Sequence, residues 1–242
     1  MAKYVYGKNV VNNLLRGSSE IVNLFVLEGR NGSEIEKKAH EKRINIRHVS
    51  RKYLDSLVDG NHQGYIAEIK DYRTYDINEI IESVPAGKLP LIVALDGIQD
   101  PHNLGAVLRT MSCVGGDGVI IEKDRSVSLN GTVAKVSVGA IDTVKVAQVT
   151  NLAQTLRNLK DKGYWVVGTD MGDDAMDYRK PHYDVPIVLV IGAEGSGMRR
   201  LTSQICDYKV KLPMEGDIGS LNASVACGII LYQIYSQRSP LD

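Results

Sequence analysis

A set of short, wholly apolar runs, each followed at once by a loop of glycine and polar residues, restricts the fold of this chain more than any other feature. Residues 91–95 read Leu-Ile-Val-Ala-Leu, 118–121 Gly-Val-Ile-Ile, 165–168 Trp-Val-Val-Gly and 186–192 Pro-Ile-Val-Leu-Val-Ile-Gly. Runs of this length without polar alternation suit strands buried on both faces. Helical patterns lie between them at 104–114 and 152–162, with Gly163 placed to end the second. Shorter strands at 144–146 and 208–212 and a long helix at 223–238 complete the series. Strands alternating with helices predict an α/β domain built on a mostly parallel sheet.

Residues 1–71 follow a more compact rhythm. Apolar residues at helical spacing predict a helix over 6–15, with Gly17 available to end it. Residues 22–27, 46–49 and 65–69 read as strands. Ser33, with Glu36 three residues on, has the spacing of a capping box. This predicts a small α/β module at 1–71. Residues 72–88 are polar, contain Pro85-Ala86-Gly87, and read as a linker with one short helix over 77–84. The second domain then spans 89–242.

Net charge is zero, yet its distribution is uneven. Residues 1–73 hold thirteen Lys and Arg against nine Asp and Glu, and the remainder holds sixteen against twenty. The small module is therefore the half suited to phosphates. Cys113, Cys206 and Cys227 are far apart and odd in number, with no C-x-x-C spacing, so neither a zinc site nor a disulfide framework is indicated. They read as small buried apolar residues of a reducing compartment. The N-terminus lacks an apolar run of signal-peptide length, and no stretch reaches the roughly 18 apolar residues of a membrane span. The expectation is a cytoplasmic protein with no membrane or metal partner.

Ligands of open parallel sheets sit at the carboxyl ends of the strands. Three post-strand segments are rich in glycine and polar groups here: 96–109, 192–197 and 213–224. Such loops let backbone N–H and C=O groups approach a ligand closely. None matches the phosphate-binding pattern G-x-x-x-x-G-K-[ST], or G-x-G-x-x-G after a first strand, which argues against nucleotide hydrolysis and ordinary dinucleotide binding.

Together the three segments resemble the SpoU/TrmH family of RNA 2′-O-methyltransferases. The N-x-G-x-x-x-R motif of that family corresponds to Asn103, Gly105 and Arg109, within Asn103-Leu104-Gly105-Ala106. A second motif falls on Gly192-Ala193-Glu194-Gly195. A third falls on Leu212-Pro213-Met214 followed by Ser220-Leu221-Asn222-Ala223-Ser224-Val225-Ala226. Residues 1–72 resemble the ribosomal-protein-like RNA-binding domain of the family's ribosomal branch, through Tyr6-Gly7 and His62-Gln63-Gly64.

The resemblance implies a SPOUT-type trefoil knot in the C-terminal domain, a homodimer, S-adenosyl-L-methionine as cofactor and RNA as substrate. Its branch implies a guanosine of large-subunit ribosomal RNA. The alternatives are transfer RNA, or a noncatalytic RNA-binding or ribosome-assembly factor. By motif position, Asn103, Arg109, Glu194, Ser220 and Asn222 are the implied catalytic set. Thr169, Gly192, Leu212, Met214 and Leu221 are the implied cofactor set.

Each of these residues also has a plainer reading. Arg109 as general base sits badly with a guanidinium pKa above 12, so orienting the hydroxyl or stabilising negative charge is the milder role. Asn103 can position a ribose or serve as a helix N-cap, and Ser224 can cap the last helix. Glu194 can bond loop N–H groups or hold Arg109 or substrate. Leu212 and Leu221 can be core residues. His62 can form a turn or touch RNA, and residues 170–177 read as a solvated acidic loop.

Overall fold

The computed structural model describes residues 3–16, 20–30, 32–70, 72–216 and 219–239. The chain divides into two compact units, Met1–Tyr72 with Asn130–Thr132, and the remainder.

The first unit is ordered β1 (Lys3–Tyr6), α1 (Lys8–Arg16), β2 (Ile21–Leu27), α2 (Glu34–Glu41), β3 (Asn45–Val49), α3 (Arg51–Leu57) and β4 (Tyr65–Ile69). Its four-stranded sheet runs β1-β4-β2-β3, parallel only between β2 and β3. Leu24, Val26, Ile35, Ala39 and Ala67 form one core; Phe25, Leu54 and Ile66 form another. The capping box at α2 is present in full: Ser33 Oγ accepts from Glu36 N, and Glu36 Oε2 accepts from Ser33 N at 2.9 Å. The helix expected from residue 6 begins at Lys8, because residues 3–6 form a strand against β4. The stop expected at Gly17 lies outside the described residues. Helix α3 has no counterpart in the sequence reading.

The chain continues through α4 (Ile77–Glu82), β5 (Leu91–Asp96), α5 (Pro101–Cys113), β6 (Gly118–Glu122), α6 (Gly131–Ser137), α7 (Ala140–Thr143) and β7 (Lys145–Val149). Then follow α8 (Leu152–Asp161), β8 (Trp165–Thr169), β9 (Met176–Asp177), β10 (Ile187–Gly192), α9 (Arg200–Ile205), β11 (Tyr208–Lys211) and α10 (Ala223–Arg238). The seven strands of the second unit are ordered β7-β6-β5-β10-β8-β11-β9, and every pairing is parallel. Strands β5 and β10 lie side by side and are buried at every residue. That double-sided burial explains why both read as unbroken apolar runs. At its far end α10 is held by Arg238, whose guanidinium donates to the carbonyls of Tyr183, Val185, Leu89 and Pro90. These carbonyls immediately precede β5 and β10, so one side chain fixes the helix to the two central strands.

The linker expected at 72–88 is not free-standing. Tyr75 N donates to Val146 O at 2.9 Å, and Ile80 is fully buried among Ile92, Ile120, Ala147 and Leu156. Its polarity is the exposed face of a helix whose inner face joins the core. The cysteines also differ from expectation: Cys227 is buried and Cys206 partly so, but Cys113 is exposed at the end of α5. Burial pushes the Cys206 thiol up to about 11 and the Cys227 thiol up to about 12.

Two outcomes follow. Ile80→Ala should lower unfolding stability by about 2–5 kcal/mol, read by denaturant titration; an unchanged midpoint would make 73–88 a true linker. A native thiol assay should label Cys113 rapidly and leave Cys206 and Cys227 unreacted until unfolding.

Candidate active site

Asp100, not Asn103, is the N-cap of α5: its side chain accepts from His102 N at 2.8 Å, and Pro101 starts the helix. Asn103 is thus freed from capping and lies buried in the first turn. Its Nδ2 donates to Glu194 Oε1 at 3.0 Å, and its Oδ1 accepts from Asn222 Nδ2 at 2.9 Å. Asn222 Nδ2 also donates to Glu194 Oε1, at 2.6 Å, and Ala223 N approaches the same oxygen at 3.4 Å. One carboxylate oxygen of the loop after β10 therefore joins the start of α5 to the start of α10. Four hydrogen bonds therefore link the three segments at one point.

Asn222 also serves as N-cap of α10. Its Oδ1 accepts from Ser224 N at 3.0 Å, Val225 N at 3.3 Å and Ser224 Oγ at 2.6 Å. The capping role considered for Ser224 belongs to Asn222, because only the residue preceding the first helical turn aims its side chain at those N–H groups.

A cavity of about 480 Å³ opens at the carboxyl ends of β8, β10 and β11. Its lining includes Thr169, Gly192, Leu212, Met214 and Leu221, together with Glu194 and Ser220. Leu212 is buried, whereas Leu221 is 38% exposed on the cavity wall and is no core residue. Gly192 sits where a Cβ would come within 2.3 Å of Gly197 C and Met198 N, so the loop folds back on the strand end and leaves no room for a side chain. Ala193 and Gly197 exchange two backbone hydrogen bonds across that loop, at 3.1 and 2.8 Å.

Arg109 is not brought to this cluster. It lies six residues beyond Asn103 on α5, about 9 Å along the axis and on another face. It is exposed and, among the described residues, makes no hydrogen bond or ion pair. Glu194 therefore holds the two asparagines and not Arg109.

Some site residues went unread in the sequence. Asp96, at the end of β5 and 1% exposed, accepts from Arg199 N at 2.8 Å and from Arg199 Nε at 2.5 Å. Arg199 also bridges to Glu122, at the end of β6, at 2.7 Å. This tie anchors the far end of the β10 loop to β5 and β6. Its signal was a carboxylate ending an otherwise apolar strand, twice over. Asp170 and Met171 line the cavity, and Lys209 pairs with Asp170 at 3.4 Å and with Asp174 at 2.8 Å. The expected solvated loop at 170–177 is instead tied to β11, and its end forms β9.

A model of the SpoU rRNA Methylase family matches residues 90–232, and a model described as RNA 2′-O ribose methyltransferase substrate binding matches residues 4–75. This chain belongs to the SpoU methylase family. A Bacillus subtilis (strain 168) protein named for the TrmH family of tRNA/rRNA methyltransferases is 41% identical over 98% of this chain and 97% of its own length. A Staphylococcus haemolyticus protein named in the same way is 42% identical over 97% and 95%. Among solved structures, the SpoU methyltransferase of Streptomyces viridochromogenes, in complex with the cofactor AdoMet, shares the fold: TM-score 0.64 and 22% identity over 98% of this chain and 90% of that one. The TrmH/SpoU tRNA modifying enzyme of A. aeolicus is 31% identical with TM-score 0.59, over 66% of this chain and 81% of that one.

Asn222 has two separable jobs in this geometry, which substitution can divide. Asn222→Ala should cost about 1 kcal/mol through loss of the cap alone, and more with the junction gone. Asn222→Asp keeps the cap but sets a second carboxylate against Glu194. The repulsion raises one carboxyl pKa in the folded state, so the penalty is present at neutral pH and relieved as pH falls through that pKa. Thermal melts at neutral and mildly acidic pH would measure it; a pH-independent difference from wild type would contradict the contact.

Proposed function

We propose that the chain transfers the methyl group of S-adenosyl-L-methionine to a ribose 2′-hydroxyl of RNA, a guanosine of large-subunit ribosomal RNA. The observation that carries this reading is the junction of Asn103, Glu194 and Asn222 on the rim of the strand-end cavity. The cavity suits the cofactor in volume and in chemistry. Its walls are backbone-rich loops at Gly192, with apolar cover from Leu212, Met214 and Leu221 and polar groups at Thr169. When bound, S-adenosylmethionine supplies an electrophilic sulfonium methyl group. The chain's own residues bind and orient: Leu212 and Leu221 flank the cofactor, while Ser220 and the Glu194 junction face the ribose side.

Arg109 is assigned to the reacting hydroxyl, where a fixed guanidinium favours developing oxyanion charge. Its distance from the cavity within one chain favours a homodimer. So does α10, which exposes Val225, Ile229, Tyr232 and Tyr235 as a stripe at helical spacing. The strand order, with β10 and β11 on either side of β8, agrees with the implied knot.

The small domain favours ribosomal over transfer RNA. A solved rRNA methyltransferase of Sinorhizobium meliloti aligns with the whole of this chain, whereas structures named for tRNA align with 61–66% of it. A reaction on RNA in the cytoplasm also agrees with three free thiols.

The test is transfer of labelled methyl from S-adenosylmethionine to ribosomal RNA, followed by alkaline hydrolysis. A 2′-O-methyl group blocks cleavage at its phosphodiester, so label should appear in alkali-stable dinucleotides that carry guanosine. Label in mononucleotides would overturn the ribose assignment. Arg109→Lys should lower kcat roughly a hundredfold while the cofactor Kd, read by calorimetry, stays within about twofold. A wild-type rate would remove Arg109 from the reaction.

A further inference from the structure

The motif His62-Gln63-Gly64 has no part in the chemistry above, and the first unit has a cavity of its own beside it. About 240 Å³ in volume, it lies beyond the carboxyl end of β2 and is lined by Arg30, Arg51, Asp55, Asn61, His62 and Gln63, among others. Apart from Leu27 and the two glycines, every group that lines it is polar or charged.

The loop that builds this cavity is held in an uncommon shape. Gln63 has φ +53° and Gly64 φ +81°, two successive left-handed residues. A non-glycine residue in that region costs of order 1 kcal/mol and persists where its surroundings over-determine it. Here His62 does so. It is buried; its Nδ1 accepts from Gly64 N at 3.0 Å and its Nε2 lies 2.9 Å from Asp55 Oδ1. Nδ1 accepts, so Nε2 carries the proton and donates to Asp55. Gln63 Oε1 accepts from Lys8 N at 3.0 Å, fixing the loop to the start of α1.

The consequence is a carboxylate fixed through one oxygen. Asp55 Oδ1 is engaged by His62, while among the described residues Oδ2 meets Arg51 Nε at 4.0 Å and no closer donor. Arg51 is 80% exposed, and among the described residues this is its one ion pair. Arg30 is posed by its bond to Gln63 O at 3.1 Å and by its position 5.7 Å from the Tyr65 ring centroid. Two guanidinium groups alone would suit a phosphate, but Asp55 in the same wall repels one. A carboxylate beside guanidinium groups instead matches a nucleobase that offers donors on one edge and acceptors on another. Guanine does this: N1–H and N2–H₂ donate to a carboxylate, and O6 and N7 accept from arginine. Adenine, cytosine and uracil have no edge with two adjacent donors to meet a carboxylate. The cavity is far too small for a duplex, and RNA is read by sequence where unpaired bases splay out.

We propose that this cavity receives one unpaired guanine of the RNA, with Asp55 and Arg51 reading its edges, Arg30 closing the wall and His62 acting as a positioning residue for Asp55. The inference rests on the reading of the chain as an RNA enzyme but needs no methyl transfer. It also explains why His62 is buried against an exposed carboxylate: the imidazole aims the acid.

The experiment measures binding of fluorescein-labelled UUGUU and UUAUU by the full-length protein, by anisotropy without cofactor. The wild type should favour UUGUU about tenfold, the discrimination of one good bidentate base contact. Asp55→Asn still accepts the His62 hydrogen bond, so it should fold with an unchanged melting temperature and lose the preference. Arg51→Ala should weaken UUGUU and lower the salt dependence. Equal binding of the two oligonucleotides, no binding of either at millimolar concentration, or a preference that survives in Asp55→Asn would each overturn the proposal. A guanine preference in a protein that transfers no methyl group would instead leave this site standing and defeat the enzymatic reading.

Discussion

A single carboxylate oxygen, Glu194 Oε1, holds the second unit's site together. It receives Asn103 from α5, Asn222 from the segment before α10, and the backbone of Ala223. Asn103 belongs to the segment after β5, Asn222 and Ala223 to the segment after β11, and Glu194 itself to the loop after β10. Parallel strands end side by side, but nothing in a sheet fixes the loops beyond them. The junction supplies that order, and Asp96 supplies it again at the far end of the β10 loop through Arg199.

That arrangement has an electrostatic logic. A carboxylate oxygen with several converging N–H donors has its lone pairs satisfied where it stands. Two primary amides around it remain neutral, so the site gains rigidity without gaining net charge beyond one. A rim of this kind can face a hydroxyl and a cationic sulfonium group without binding either too tightly. Arg109 is exposed on α5 and, among the described residues, has no hydrogen-bond or ion-pair partner.

Much of this was legible from residues alone. The buried strands were visible because double-sided burial forbids polar alternation, and α10 was bounded correctly because Asn222 and Arg238 mark its ends. The five residues assigned to the cofactor by motif position line one cavity. Other features were hidden for physical reasons. Strand β1 is four residues long and leans on a partner sixty residues away. Helix α4 buries little besides Ile80, so its exposed face reads as linker. The capping roles at α5 and α10 shifted by a few positions because Asp, Asn and Ser are near-equivalent caps, and only geometry chooses among them. The Asp96–Arg199–Glu122 tie spans 103 positions of the chain, so the carboxylates that end β5 and β6 are visible locally but the arginine that joins them is not.

Through Asn103 and Asn222, Glu194 couples α5 to α10. A double-mutant cycle on Asn103→Ala and Asn222→Ala, read by unfolding free energy in urea, measures that coupling. With Glu194 intact the two changes should interact by about 1 kcal/mol or more, and in a Glu194→Ala background the interaction should shrink to the direct Asn103–Asn222 bond alone. Additivity within about 0.5 kcal/mol in both backgrounds would contradict the account.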